Sequence, residues 1–496
     1  MVKLIVKKSQ LSGNISCPPS KSYSHRAIVI SALSNGISNL ENVLFSRDTI
    51  ATIKCCKMLG TEIEANPSTK IEQSNNIKDL SLNTIGNLKI SSNGGRIGFD
   101  TPNDILNAEN SGTTIRLLAS VCSLVNRGYT ILSGDNSLRK RPMGDLINSL
   151  NQLGVECFSS KISNTPPLIV KGGGMKGGES HINGQISSQF ISSLLLSGIY
   201  AKTKVTIKVL GDQVSKPYID STISIMKKFG IEIKNHLINN NNKIDYNESL
   251  FDSSIPSDTF FNLHPTIDTA AATIINADKQ SNIVTESYEI PNETEYLATK
   301  FRVPGDFSTA ALLLSAAILS DGEVTISNLD FSLPQGDSNI INILKKMGAN
   351  IFEDKNKGTV RVIGTEMLDG GEFNLKDTPD LLPVVSILSL KGKNPIKITG
   401  ISHARYKETD RVANIASQLV KFGAEVKEDF DSIFINPPKR IKNASINSFD
   451  DHRLFMAFFI ASLATEESTI DGVESVDVSY PGFIDDLKKI GARIET

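Results

Sequence analysis

The chain is short of cysteine, of net charge and of long apolar runs, and each shortage removes a class of protein. Its five cysteines, Cys17, Cys55, Cys56, Cys122 and Cys157, form neither a CxxC pair nor an even set. That excludes a disulfide-framed secreted scaffold and points to a reducing cytoplasm. Its 54 acidic residues nearly cancel its 52 lysines and arginines, leaving a net charge of −2, so neither nucleic acid nor an anionic membrane surface is an expected partner. No uninterrupted apolar run reaches the ~18 residues of a membrane span. The opening Met1-Val2-Lys3-Leu4-Ile5-Val6 reads as a short strand rather than a signal peptide. The six histidines, His25, His181, His236, His264, His403 and His452, show no HxxxH spacing, and no Walker-type or dinucleotide-binding glycine pattern occurs. No metal and no cofactor is therefore expected. Gly172-Gly173-Gly174 lacks a following Lys-Ser/Thr and reads as a flexible turn.

What is present is repetition. At 496 residues and 39% apolar content the chain is too long for one core, so two or more α/β domains are expected. A helix-end pattern recurs around Gly60, Gly154, Gly230, Gly348, Gly423 and Gly491, as in Lys228-Phe229-Gly230-Ile231-Glu232-Ile233. Each supplies cations in the last turn, a glycine at C′ and then a strand-like alternation. Upstream of each lies a more apolar helix opened by a capping residue: Ser20, Ser111, Ser187, Asp306, Asp380 and Asp451, at separations of 40, 43, 43, 42, 43 and 40 residues. Such constancy marks an internal repeat. Helices apolar nearly all round, as over 191–199 and 454–463, belong inside, so two similar domains of three units are expected, each with three buried helices wrapped by sheet. The longest gap, Gly230 to Asp306, divides them. It contains Asn239-Asn240-Asn241-Asn242, and 235–281 reads as a polar surface insertion.

The helix openings carry the chemistry. In Pro18-Pro19-Ser20-Lys21-Ser22-Tyr23-Ser24-His25-Arg26, Ser20 caps a helix whose first turns hold Lys21 and Arg26, where the macrodipole is already positive. This is either a site for phosphate or carboxylate or a solvated basic turn. Asn110-Ser111-Gly112-Thr113-Thr114-Ile115-Arg116 offers amides and an arginine, Ile186-Ser187-Ser188-Gln189 two hydroxyls and an amide, and Asp451-His452-Arg453 a cap beside an arginine. Only 14 basic residues are arginine, yet seven (Arg26, Arg116, Arg139, Arg141, Arg405, Arg411 and Arg453) fall in such motifs, which suits bidentate anion recognition. If like helices pack in parallel, these openings meet in a strongly positive cleft. Asp380 is the odd member, either a cap or an acceptor for a substrate proton. Lys407 and Arg411, four apart, fall on one helical face with Glu408 nearby, or belong to an ordinary charged helix.

Taken together, PPSKSYSHR, NSGTTIR, RKRPMG, ISSQF, VSKPYID, VPGDFSTAA, TPDLLP, RYKETDR and DDHR, in this order, resemble the 5-enolpyruvylshikimate-3-phosphate synthase family over nearly the whole chain outside 235–281. The resemblance implies an inside-out α/β barrel architecture of six βαβαββ-like units. They form two domains joined by two crossings: 1–18 with 302–496, and 19–301. It implies transfer of the enolpyruvyl group of phosphoenolpyruvate to the 5-hydroxyl of shikimate 3-phosphate by a cytoplasmic monomer. By motif position it implies that Lys21 touches both substrates, with Ser22 and Arg26 on the shikimate carboxylate side. Ser187, Ser188 and Ser215 would hold the 3-phosphate, and Gln189 and Tyr218 the ring. Arg116, Arg141, Arg411 and Arg453, beside Gly112, would grip phosphoenolpyruvate, with Gln189 also in reach. Asp380 resembles the base, Lys407 its relay neighbour and Glu408 the acid at the methylene carbon. Three positions depart from the common pattern: Val478 where many members carry a lysine, His403 for a frequent asparagine, and Leu117 for a common proline. The sister family acting on UDP-N-acetylglucosamine uses a loop cysteine as acid, and none of the five cysteines lies in a matching loop.

Overall fold

The computed structural model describes residues 3–67, 84–238 and 283–495. Among them are twelve α-helices in six pairs. The apolar members are α1 (Lys21–Leu33), α3 (Gly112–Val121), α5 (Ser188–Gly198), α7 (Phe307–Leu319), α9 (Leu382–Leu388) and α11 (His452–Ser462). They alternate with α2 (Arg47–Met58), α4 (Gly144–Gln152), α6 (Lys216–Lys228), α8 (Ile340–Lys346), α10 (Arg411–Leu419) and α12 (Phe483–Lys489). Every residue of α7 and α11 is buried, as helices without a polar face require. In α1 only Lys21 and Ser22 escape burial. The six glycines that follow the amphipathic helices all have positive φ, between 76° and 113°, the left-handed cap only glycine enters freely. Basic residues occupy the last turn of α2, α6, α8 and α12 but not of α4 or α10. The cap geometry, rather than the charge, is therefore the constant of the repeat.

Six four-stranded sheets among the described residues share one pattern: an outer strand parallel to its neighbour, then two antiparallel steps. Parallel neighbours need a crossover, and the apolar helix supplies it. Two units break chain order. Ser12–Ser16, which leads into α1, pairs instead with Glu323–Ser327 beyond α7, while Lys300–Arg302, which leads towards α7, pairs with Asn35–Phe45 beyond α1. The two halves thus exchange a strand. Leu4–Lys7 fills the sixth sheet between Glu467–Ile470 and Arg493–Glu495.

The apolar interior falls into two clusters. One joins Leu4 to Cys17 with residues from Phe307 onward; the other runs from Tyr23 to Val303. Leu333 packs in the second cluster although it lies in the later half, and Val303 does so just past the boundary proposed here. We propose 1–18 with 302–496 as one domain and 19–301 as the other. Of the insertion expected over 235–281, residues from 239 on lie outside the described residues. Its first residues belong to the strand Lys234–Leu237, paired with Val284–Ile290.

Candidate functional site

Each apolar helix sends its first turn to the same place. Lys21, Gly112, Gln189, Ser308, Asp380 and Arg453, one from each helix start, line a single cleft between the two clusters. Five starts are capped as their residue types require: Ser20 accepts from Tyr23 N, Ser111 from Thr114 N, Ser187 from Gln189 N, Asp306 from Ser308 N and Asp451 from Arg453 N. The sixth corrects the sequence reading. Asp380 lies in a 3-10 turn, Pro379–Leu381, that leads into α9, and its side chain caps nothing. Its oxygens instead meet Arg411 Nη1 at 3.1 Å and Arg453 Nη2 at 2.7 Å.

On the side of α1, α3 and α5 each cation is held by a partner of its own. Lys21 Nζ is 2.9 Å from Asp48 Oδ2. Arg116 donates to Gln189 Oε1 at 2.8 Å and stacks over Phe190, and Arg141 donates to Asn110 Oδ1 at 3.0 Å. The Nε of both arginines is buried without a hydrogen-bond partner among the described residues. Burial, with Arg141 alongside, brings Arg116 down to about 10. Gly112 is the first residue of α3, and a Cβ there would lie 2.7 Å from Arg141 Nη1. The glycine is needed for that close approach. Ser187, Ser188 and Ser215 line an adjoining pocket with Arg116 and Lys407; Ser215 holds a left-handed φ of 58° at the start of α6. Arg26 does not line the cleft. It is 1% exposed and donates to Thr222, Tyr218 O and Ser22 Oγ, so it fixes Ser22 from behind.

The facing wall is a network of arginines and carboxylates. Lys407 and Glu408 do not share a helix with Arg411, as their spacing predicts; they lie in the loop before α10, whose cap is Asp410. Arg411, 1% exposed, donates from Nε to Asp451 Oδ2 at 2.8 Å and from Nη2 to Glu408 Oε2 at 2.6 Å, besides its bond to Asp380. Arg141 Nη1 is 3.7 Å from Glu408 Oε1. Burial would raise both cleft carboxylates, but the cations outweigh it. Arg453, Lys407 and Arg411 hold Asp380 well below the usual carboxylate range, and Arg411 and Arg141 do the same for Glu408. Both are ionised at neutral pH. Burial lowers Lys407, with Asp380 opposing. His403, mostly buried in the adjoining pocket, falls to about 4 and is neutral.

The cleft is not the strongly positive one its helix starts predict. Six cations (Lys21, Arg116, Arg141, Lys407, Arg411 and Arg453) face five acids, Asp48, Asp306, Asp337, Asp380 and Glu408. Sequence reasoning missed Asp48, in the first turn of α2, and Asp337, in the loop Pro334-Gln335-Gly336-Asp337. An acid after a Gln-Gly turn is too common a pattern to signal a site. Val478 borders a second pocket beside Arg47, and Arg47 Nη2 is 3.1 Å from Asp477 Oδ2. Leu117 is buried in the core.

Comparison with known proteins places the chain in one family. The family model for EPSP synthase (3-phosphoshikimate 1-carboxyvinyltransferase) matches residues 5–260 and 261–487. The chain is 38% identical over 496 residues to the 3-phosphoshikimate 1-carboxyvinyltransferase of Nitrosopumilus maritimus, and 37% identical over 497 residues to that of Methanocaldococcus jannaschii, covering 100% of each chain in both cases. An EPSP synthase structure from Acinetobacter baumannii superposes with a TM-score of 0.73 over 99% of both chains, at 23% identity, a likeness of fold.

Proposed function

The chain belongs to the EPSP synthase family, and from that premise we propose which side chain performs each part of the reaction. The enzyme is a 3-phosphoshikimate 1-carboxyvinyltransferase: it transfers the enolpyruvyl group of phosphoenolpyruvate to the 5-hydroxyl of shikimate 3-phosphate and releases phosphate, a step of aromatic amino-acid biosynthesis. Two multiply charged anions must be seated together against their repulsion, with hydroxyl and enol carbon in reach. Ser187, Ser188 and Ser215 hold the 3-phosphate, Gln189 and Tyr218 the ring, and Ser22, braced by Arg26, the shikimate carboxylate. Arg116, Arg141, Arg411 and Arg453, with Gly112 clearing their approach, take phosphoenolpyruvate. Lys21 reaches both.

The observation that carries this reading is the partnership of Asp380 and Glu408 with the same arginines that phosphoenolpyruvate needs. A carboxylate pinned by two guanidiniums is a poor base, and a permanently ionised Glu408 cannot donate a proton. Arriving phosphate and carboxylate groups compete for Arg411, Arg453 and Arg141, and release of those contacts raises both acids. Asp380 then accepts the 5-hydroxyl proton as the oxygen attacks the enol carbon, Lys407 assists beside it, and Glu408 protonates the methylene. Loss of a methyl proton and departure of phosphate complete the exchange. Action as a monomer is part of this proposal. The five cysteines are free and buried, in keeping with a reducing cytoplasm, and no helix among the described residues is long and apolar enough to cross a membrane. The test is phosphate release by purified protein given shikimate 3-phosphate and phosphoenolpyruvate; no release at high enzyme concentration defeats the reading.

A further inference from the structure

The loop over 333–337 belongs to the later half of the chain but is fastened to the earlier one. Leu333 packs in the earlier cluster. Pro334 O accepts from Tyr23 Oη at 2.9 Å and from Ser221 Oγ at 2.7 Å. Gly336 lies so close to the first turn of α6 that a Cβ would sit 2.7 Å from Pro217 Cβ. At the end of this clamp, the Tyr218 hydroxyl reaches two acceptors on the opposite half, Asp337 Oδ2 at 2.9 Å and Asp380 Oδ2 at 3.3 Å. One proton cannot serve both. Asp337 is 5% exposed, and its other oxygen, Oδ1, is buried without a partner among the described residues.

We propose that Asp337 is a positioning residue for the proposed base, acting through Tyr218: the protonated Asp337 carboxyl donates to the Tyr218 oxygen and turns the phenol O–H onto Asp380. The inference rests on the assignment of Asp380 as base made above. With no acceptor at Oδ1, the one place for the proton of a neutral Asp337 is the Oδ2 side, where it meets Tyr218. The phenol then donates to Asp380 Oδ2, orienting that carboxylate while arginine contacts are exchanged for substrate. When Asp337 ionises, the phenol turns to the nearer Oδ2 of Asp337, Asp380 loses its donor, and a further negative charge faces two anionic substrates. The groups facing Asp337 are Tyr218 from α6, Asp380 from the turn before α9, Arg453 from α11 and Asp306 at the cap of α7. Burial first, and Asp380 next, push the Asp337 carboxyl up to about 7, against the pull of Arg453.

The experiment is the pH profile of kcat/KM for wild type, Asp337→Asn and Tyr218→Phe. Wild type should lose activity as pH rises past neutrality, approaching about tenfold per pH unit. Asn at 337 donates at every pH, so Asp337→Asn should keep its low-pH rate across that range. Tyr218→Phe should cost about tenfold or more near pH 6, where the chain of donors is intact, and distinctly less near pH 8, where wild type has already reversed it. A merely structural Tyr218 would cost the same factor at both pH values. The same falling limb in Asp337→Asn, or an equal Tyr218→Phe factor at both pH values, overturns the inference. If Asp337→Asn does not fold, the Tyr218→Phe ratio decides alone. A wild type that turns over but shows no such limb sinks this inference only, whereas a wild type that releases no phosphate sinks the underlying reading with it.

Discussion

Replacing Arg411 by alanine removes the cation that three carboxylates share, and the structure says how the cost divides. Asp451 is wholly buried, and its nearest charge partner is Arg411 Nε at 2.8 Å. It also caps α11 through Arg453 N at 2.9 Å, so it cannot turn away to find water. Stranding a buried charge in this way costs about 3–5 kcal/mol. Glu408 and Asp380 are 19% and 16% exposed; they can recruit water or a proton and add less. At ~2–4 °C per kcal/mol for a domain of 150–250 residues, the melting temperature should fall by about 6–20 °C. The pH dependence identifies the cause. In wild type both carboxylates are held below their ordinary values, so the stability they contribute is present above the unfolded carboxylate range and is lost as pH falls through their depressed folded values. Without Arg411 their values rise, and a raised acid favours the folded state at low pH. The deficit of Arg411→Ala, measured by thermal melting, should therefore be smaller near pH 5 than near pH 8. A deficit below about 1 kcal/mol, or one equal at the two pH values, would refute the claim that Arg411 neutralises a buried acidic cluster. Lysine at 411 should restore part of the stability, since an ammonium can satisfy one carboxylate but not a fork of three.

Gly112→Ala puts a methyl group 2.7 Å from Arg141 Nη1; because alanine favours the helix, stability should hold within about 1 kcal/mol while the KM for phosphoenolpyruvate rises about tenfold, and an unchanged KM would show that the guanidinium is not needed where it lies. Asp380→Ala should keep binding of shikimate 3-phosphate, followed calorimetrically, while losing turnover by about a thousandfold, whereas Lys21→Ala should weaken binding as well; equal loss of binding in both would undo the distinction between base and anchor. Burial pushes the thiols of Cys17, Cys55, Cys56, Cys122 and Cys157 upward, so a thiol reagent at about pH 8 should label native protein only at the rate of unfolding and denatured protein at all five; rapid labelling of any one would contradict its burial.

The repeat was readable because its markers are local. A glycine at C′ and a capping residue at a fixed distance before it are set by backbone geometry within one helix, and all six glycines take the left-handed φ they announce. Pairing across the chain leaves no such mark: nothing in Ser12-Gly13-Asn14-Ile15-Ser16 says that its partner is Glu323–Ser327 rather than the strand after the next helix. The site was legible where residue type and cap position coincide, as at Lys21, Gly112, Ser187 and Arg453. At Asp380, Lys407 and Glu408 the residues were legible but their setting was not: the spacing of Asp380 fits a cap, yet its charge is drawn to Arg411 and Arg453, and helical spacing places Lys407 and Glu408 on a face that a loop replaces. Asp48 and Asp337 became visible only through the cations and the phenol brought to them from other elements.

These missed acids bear on why a cleft built from six helix starts can exist without its ligands. Guanidiniums and amide ends gathered in one low-dielectric space repel one another and are costly to desolvate, and the family's anions are absent for part of every cycle. The chain keeps internal anions in reach: Asp48 on Lys21, Asp380 on Arg453, and Asp380, Glu408 and Asp451 on Arg411. Each cleft pair is a stand-in for a substrate oxygen. Substrate binding is then an exchange of one carboxylate for another rather than the filling of a bare positive hole, which lowers its net affinity but couples it to chemistry. Two of the acids so released, Asp380 and Glu408, are the groups proposed above to move protons. Arg116, which makes no ion pair among the described residues and whose Nε has no partner there, is the cation with least to give up, so on this argument it engages phosphoenolpyruvate first and Arg411 follows.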